Sequence, residues 1–279
     1  MTTTSAKTFL ITGVSSGFGR ALAEAALRDG HVVAGTVRKA SDGEAFEALG
    51  SNAHAVILDV TDTARIAPAV AAIEARVGAI DVLVNNAGYG HEGILEESSI
   101  DDLRRQFEVN VFGAVAMIQA VLPAMRRRRS GHILNITSMG GIATFPGLSY
   151  YHGSKFALEG ISETLGKEVR DLGIKVTAIE PGGFRTDWAG RSMVRAERSI
   201  ADYDAIFEPI RKRRIEFSGR QVGDPAKAAQ AMLKVAMSDH PPAHLLLGSD
   251  AVRYVEDKIK SLQADFDAWR DVSLTTDAT

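Results

Sequence analysis

Thr8-Phe9-Leu10-Ile11-Thr12-Gly13-Val14-Ser15-Ser16-Gly17-Phe18-Gly19 stands near the N-terminus and runs directly into the alanine-rich stretch Arg20-Ala21-Leu22-Ala23-Glu24-Ala25-Ala26. Its first five residues read as a strand and its alanines as a helix from Gly19 to Asp29, so the glycines sit at a strand-to-helix turn. A dinucleotide-binding turn needs that context. Gly13 permits the tight turn, Gly17 lets the backbone approach a pyrophosphate, and Gly19 lets the helix close on the strand with its N-terminus towards the anion. Three glycines in a loop also describe an ordinary turn, and on the loop alone that reading stays open.

Outward from this stretch, short β-branched runs alternate with segments of helical period, the pattern of a parallel sheet covered by helices on both faces. Strands are expected at Thr8 to Thr12, His31 to Val37, Ala55 to Leu58, Val82 to Asn85, His132 to Thr137, Lys175 to Ile179 and near Leu245. The fold class is therefore α/β, a doubly wound, seven-stranded parallel sheet. A long helix is expected from Ile100 to Arg129, stopped by Ser130-Gly131, and another from Tyr151 to Leu172 with Phe156, Ile161, Leu165 and Val169 on one face. No repeat or linker divides the chain, so residues 1–279 read as a single domain. Thr2 to Ala6 and Ser273 to Thr279 are expected to be disordered, and residues 187–221, charged and interrupted, to form a lid over a site.

Composition narrows the classes. The 279 residues are 45% hydrophobic, enough for one core holding a cofactor and a substrate. The net charge of -3 gives no basic field for a nucleic acid, and the absence of cysteine removes disulfides, thiol nucleophiles and thiolate-ligated metal. Those features fit a reducing compartment, and the cytoplasm is the expectation. Met1 to Lys7 lack an apolar signal core, and no apolar run approaches the roughly 20 residues of a membrane span. No histidine pair has helical metal spacing with a third ligand, so no metal is expected. The arginine runs Arg126 to Arg129 and Arg211 to Arg214 read as solvated faces, the first at a helix C-terminus.

Tyr151 and Lys155 are four residues apart on an expected helix, hence on one face. A free phenol titrates near ~10, and a neighbouring ammonium lowers that value by favouring phenolate. Such pairs also decorate ordinary helix surfaces. Ser138, just past a strand end, lies at the carboxyl edge of the sheet where open α/β folds bind ligands. Asn110, among Val109, Val111 and Phe112, is a helical amide that needs partners if buried. His152 is expected to line a cleft or stand exposed.

The spacing Thr12-Gly13-x-x-x-Gly17-x-Gly19, with Asp59-Val60, Asn85-Asn86-Ala87-Gly88, Ser138, Tyr151-x-x-x-Lys155 and Pro181-Gly182 in that order, resembles the short-chain dehydrogenase/reductase family, in its shorter, single-domain branch. The resemblance covers nearly the whole chain and implies a Rossmann sheet and hydride transfer between a nicotinamide and a carbonyl or alcohol. It implies that Tyr151 is the general acid/base, that Lys155 lowers its pKa, that Ser138 orients the substrate oxygen, and that Asn110 serves a water-linked proton relay. For the cofactor it implies the turn Gly13, Ser15, Ser16, Gly17, Phe18 and Gly19. It adds Asp59 and Val60 at the adenine, Asn86, Ala87 and Gly88 beneath the ribose, Tyr151 and Lys155, and Pro181, Gly182 and Thr186 beside the nicotinamide. Asn85 would tie neighbouring strands together.

In a Rossmann unit an acid about 20 positions past the glycines holds the NAD ribose, whereas an arginine suits the NADP phosphate. Here Thr36-Val37-Arg38-Lys39 ends the second strand with no acid before Asp42, so NADP(H) is preferred and NAD(H) remains possible. Arg38 and Lys39 can also be plain loop cations. Met139, Phe145, Trp188, Met193 and Phe207 fall in segments that border the pocket in relatives, which suggests an apolar ketone or aldehyde, and each suits a core equally well. Relatives pair through the two long helices, so a dimer or tetramer is expected. Two other readings are an NAD-linked alcohol dehydrogenase and a cofactor-sensing binding protein without chemistry.

Overall fold

Strands with apolar residues on both faces are stable only between two helical layers, and the first strand shows the arrangement. Phe9 and Ile11 point into one layer and Leu10 into the other, all three fully buried. The computed structural model describes residues 6–278. In chain order it has β1 (Thr8–Ile11), α1 (Gly17–Arg28), β2 (Val32–Val37), α2 (Ala40–Glu47), β3 (Ala53–Ile57), α3 (Thr63–Val77) and β4 (Val82–Asn85). Then come β5 (Gly90–Glu92), α4 (Ile100–Phe107), α5 (Gly113–Arg128), β6 (Gly131–Ile136), α6 (Ser149–Val169) and β7 (Ile174–Pro181). The chain ends with β8 (Met193–Arg195), α7 (Asp204–Glu216), α8 (Pro225–Ala236), β9 (His244–Leu247) and α9 (Ser249–Leu274).

Seven strands form one parallel sheet in the order β3-β2-β1-β4-β6-β7-β9, the doubly wound arrangement read from the sequence. On one face Leu22, Ala25 and Ala26 of α1 pack with Phe46 of α2 and Met232 and Leu233 of α8. On the other, Ile66 and Val70 of α3, Met117 and Val121 of α5, and Leu165 and Val169 of α6 cover Leu10, Leu83 and Ile133. Helix starts follow local chemistry. Ser99 and Asp102 form a reciprocal capping box at α4, and Asp224 caps α8 by accepting from the Ala226 and Lys227 N–H groups.

The long helix expected over Ile100 to Arg129 is α4 and α5 joined by a single π turn, Glu108–Phe112. It stops at Arg129, the only non-glycine at positive φ among the described residues, while Gly131 already belongs to β6. Contrary to the sequence expectation, residues 100–128 contain an 18-residue stretch of mean hydropathy 1.5, long and apolar enough by length and composition to cross a membrane. In this fold its Met117, Ile118, Val121 and Met125 are buried in the core.

Other differences concern surfaces and ends. Phe156 is exposed, unlike Leu165 and Val169 with which the helical period grouped it. Residues 187–221 hold β8, α7 and two short 3-10 turns. At the C-terminus α9 continues through Leu274, so the disorder expected from Ser273 is not what the fold shows there. Residues 1–5 and 279, on which the rest of that expectation falls, lie outside the described residues. Ile133 lies on a central strand and is fully buried, so Ile133→Ala is expected to cost roughly 2–5 kcal/mol in denaturant unfolding; a loss under about 1 kcal/mol would contradict this placement of the core.

Candidate active site

β1 lies between β2 and β4, so the connections leaving the ends of β1 and β4 diverge to opposite sides and open a crevice at the carboxyl edge. The two strand ends are stitched together by polar groups. Thr12 Oγ1 accepts from the N–H groups of Asn86 and Ala87 at 2.9 Å each, and Asn86 Nδ2 donates to the Thr12 and Gly13 carbonyls at 2.8 and 3.0 Å. Gly13 and Gly17 adopt φ of +74° and +60°, which L side chains rarely tolerate. At Gly19 any Cβ would overlap the Gly13 carbonyl and the Asn86 amide, so the helix closes on the turn only with glycine there.

The resulting cradle fits a dinucleotide. Ser16 caps α1 without a side-chain hydrogen bond, and the first turn Gly17-Phe18-Gly19 carries no acid, so the positive end of the helix is free for an anion. Thr186 lies across the turn, its Cβ 3.9 Å from where a Gly17 side chain would begin, and Phe18 packs edge-on against Phe184. Ser15, Arg38 and Lys39 are exposed on this side. Thr36, next to that pair on β2, accepts from Gly13 N–H through both its hydroxyl, at 3.0 Å, and its carbonyl, at 3.2 Å. Asp59 takes the N–H and hydroxyl of Thr61, Val60 packs against Gly113, and Gly88 faces the Asn110 side chain. Asn85 donates to Asn135 at 2.9 Å and so ties β4 to β6.

Tyr151, Ser138 and Lys155 meet at the ends of β6 and the start of α6. Ser138 Oγ accepts from Gly140 N–H at 2.9 Å, reaches the Pro181 carbonyl at 3.5 Å and stands against the Tyr151 phenol. Lys155 Nζ donates to the Ile136 carbonyl at 2.8 Å and stands 5.8 Å from the centre of the Tyr151 ring. Burial pushes the phenol up to about 12, with the Ser138 hydroxyl opposing, and pulls the lysine down to about 8, with the charge of Glu159 opposing. The expected acidification of Tyr151 by Lys155 is thus not seen in this arrangement. The ammonium is turned to the β6 carbonyl, and desolvation of the phenol dominates.

Asn110 is buried in the π turn and fully used. Its Oδ1 accepts from Tyr89 N–H at 3.1 Å, and its Nδ2 donates to the Tyr89 carbonyl and to Ser154 Oγ, both at 3.1 Å. The side chain therefore pins the loop after β4 to α6.

His152, expected to line a cleft or stand exposed, lines a cleft with Phe145, Ser149 and Phe156 and is not exposed. It is buried, with Nδ1–H donating to the Gly140 carbonyl at 2.7 Å and Nε2 accepting from Phe145 N–H at 2.9 Å, so it braces the loop that carries Ser138. Above Tyr151, the Trp188 ring lies 5.1 Å away, and Met193 and Leu148 complete an apolar wall. Phe207 is core, packed on Gly147, and Phe145 packs edge-on against Tyr254 of α9. β8 brings Met193 there by pairing with β5, a two-stranded sheet the sequence did not reveal. Also unforeseen were buried Glu92, with Arg214 at 3.1 Å and Arg195 and Arg211 at 3.5 Å, and Asp250, whose carboxylate accepts from Gly183 N–H at 2.6 Å and holds the Pro181-Gly182 turn. Arg211 and Arg214 are accordingly inward-facing, not the solvated run expected of them.

Comparison with known proteins agrees with this geometry. The family described as short chain dehydrogenase matches residues 7–196. An oxidoreductase of Botryotinia fuckeliana, BOA17, is 42% identical over 97% of this chain and 99% of its own, and a 3-ketodihydrosphingosine reductase of Bacteroides thetaiotaomicron is 39% identical over 86% and 87%. The crystal structure of a short-chain dehydrogenase from Streptomyces avermitilis superposes with a TM-score of 0.92 at 42% identity, covering 98% of this chain and 99% of that one. A serine dehydrogenase complexed with NADP+ superposes at 0.74 with 27% identity, covering 86% and 94%.

The glycine turn can be tested without knowing a substrate. Gly19→Ala is expected to lower the melting temperature and to weaken nucleotide binding at least tenfold in a fluorescence titration, because the turn and Asn86 must move apart. Unchanged binding would mean that the cradle is not the site.

Proposed function

The chain belongs to the short-chain dehydrogenase family, and from that premise we propose that this oxidoreductase is an NADP(H)-preferring reductase of an apolar ketone or aldehyde. The observation that carries the reading is the Tyr151 phenol, buried, set against Ser138, and roofed by Trp188 and Met193 at the crevice edge. A phenol kept protonated by burial is a proton donor at neutral pH, which is what a carbonyl oxygen needs as it becomes an alkoxide. When bound, the nicotinamide supplies the hydride. Tyr151 gives its proton to the nascent alkoxide, and Ser138 donates a hydrogen bond to the same oxygen. Lys155 contributes positive charge beside the phenolate that remains.

Arg38 and Lys39, with no acid before Asp42, support a 2′-phosphate beside the glycine turn. The apolar wall of Leu148, Trp188 and Met193 supports an apolar carbonyl compound, in line with a relative named as a 3-ketodihydrosphingosine reductase. Residues 187–221 serve as the lid that carries Trp188 and Met193. A groove of about 660 Å³ between α5 and α6, with Ile118, Leu122, exposed Phe156 and Ile161 in its walls, supports self-association through these helices.

Tyr151→Phe is expected to bind NADPH as the parent does while losing at least 10³-fold in turnover across a panel of ketones. Retained turnover would reject Tyr151 as proton donor. NADPH should bind at least tenfold more tightly than NADH, about 1.4 kcal/mol, and Arg38→Ala should remove most of that margin; equal affinities in the parent would overturn the preference. Lys155 is charged below about 8 and neutral above it, so kcat/KM for reduction should be level at lower pH and fall as pH rises through that value. A profile flat to strongly alkaline pH would refute the role given to its charge.

A further inference from the structure

Glu159 lies one helical turn beyond Lys155 on α6, is only 8% exposed, and has no hydrogen-bond donor at either carboxylate oxygen. Thr137 stands against it, but the Thr137 hydroxyl already gives its proton to the Ile179 carbonyl at 2.8 Å. On β7, fully buried Glu180 has one oxygen 2.7 Å from His244 Nδ1 and the other without a donor. His244 Nδ1 is also 3.6 Å from Glu159, and its side chain, at the end of β9, is 45% exposed. One ligand atom from each of the three residues lies within 4.8 Å of the other two. Two buried carboxylates this close cannot both ionise without a positive partner. The 2.7 Å spacing is that of a hydrogen bond, shorter than the roughly 3.4 Å between tetrahedral ligands held about 2.1 Å from one zinc ion. The missing partner is a proton.

We propose that Glu159 is a positioning residue for Lys155, its carboxylate supplying the counter-charge that keeps the buried ammonium charged, with Glu180 and His244 setting from the surface whether that carboxylate is ionised. The proposal rests on the roles given to Tyr151 and Lys155 above. Lys155, Thr137, Glu180 and His244 are the groups that face Glu159, from α6, from the residue after β6, from β7 and from β9 in turn, and Glu163, one turn further along α6, acts on His244. Burial drives Glu159 up to about 7, reinforced by Glu180 and opposed by the Thr137 contact, His244 and Lys155. Burial raises Glu180 as well, while His244 is raised because its hydrogen bond to Glu180 and the surrounding carboxylates outweigh its own burial. The order of titration matters. As pH rises through about 7 Glu159 ionises, and it is then a carboxylate at the point, about 8, where Lys155 would lose its proton.

The test is the pH profile of kcat/KM with NADPH. Glu159→Gln should move the alkaline fall to lower pH by about one unit, tenfold in proton concentration, while kcat on the acid plateau stays within about threefold. Glu159→Asp should move it less. His244→Gln, at the surface, should shift the fall in the same direction by a smaller amount, because the carboxyl pair then holds its proton to higher pH. Infrared difference spectra across neutral pH should show a protonated-carboxyl band that titrates in the parent and is missing in Glu159→Gln. If Glu159→Gln binds NADPH normally and its alkaline fall stays in place, or if activity drops equally at every pH, Glu159 is only a packing group and the proposal is wrong. An infrared band unaffected by Glu159→Gln overturns it too. That spectrum needs no turnover, so its failure is separate from a failure of the Tyr151 assignment.

Discussion

The hydrogen bonds that join the end of β1 to the end of β4 hold the site open. Diverging connections leave a crevice between these strands, and a crevice in a sheet exposes backbone groups that must find partners. Thr12 and Asn86 provide them from within the two turns, the hydroxyl accepting two N–H groups and the amide donating to two carbonyls. The glycines then follow as a consequence. With Asn86 lying over Gly13, helix α1 can close only if residue 19 has no side chain, and its uncapped N-terminus is left facing the crevice. Four polar contacts around a single pair of turns therefore set the position of the anion cradle, and through β4 and Asn85 they extend to the strand that leads into Ser138.

On the far side of the crevice the deciding quantity is desolvation. Moving Tyr151 from its ordinary value of 10.0 to about 12 is worth roughly 3 kcal/mol in favour of the neutral phenol, more than the Ser138 hydroxyl returns to the phenolate. Burying Lys155 likewise favours its neutral form, which for an amine means a fall to about 8. Tyr151 is covered by Trp188, Met193 and Leu148, so the segment that shapes the substrate wall also sets the protonation of the acid. A short-chain dehydrogenase site with an open roof would have a different proton balance from the same four residues.

The central sheet was legible because each buried strand had to be a run of apolar residues, and the glycine turn because its context is local. Tyr151 and Lys155 were legible as a helical pair, and Ser138 as a strand-end hydroxyl. The remainder depended on contacts distant in sequence. β5 is three residues long, and nothing in Gly90-His91-Glu92 announces a strand until Met193–Arg195 lies beside it. His152 reads as a polar residue on a helix, yet a loop folds over it and uses both ring nitrogens. The π turn at Asn110 leaves no mark in the hydrophobic period, which continues across it. Nor do the partners of Asn110 show in the sequence, since its amide bonds Tyr89, 21 residues earlier, and Ser154 on another helix.

The roof over Tyr151 is fastened by charge instead of apolar packing, and its composition explains why. Apart from Trp188, Met193 and Phe207, large apolar side chains of residues 187–221 such as Val194, Ile206, Ile215 and Phe217 stand exposed, so the segment is not held by a core of its own. Arg198 instead joins Glu97 at 2.8 Å, Asp204 at 2.9 Å and Glu208 at 2.5 Å, linking α7 to the turn after β5. Glu92, fully buried, gathers Arg195, Arg211 and Arg214. A buried charge with several partners tolerates little displacement, because losing one member leaves the others desolvated and unpaired. Such a fastening is directional where an apolar one is not. It fixes β8 in register with β5, and that register, Gly90 against Met193, puts the methionine over the phenol and the arginine on the glutamate. The register of three residues thus connects the ionic anchor to the acid it shields.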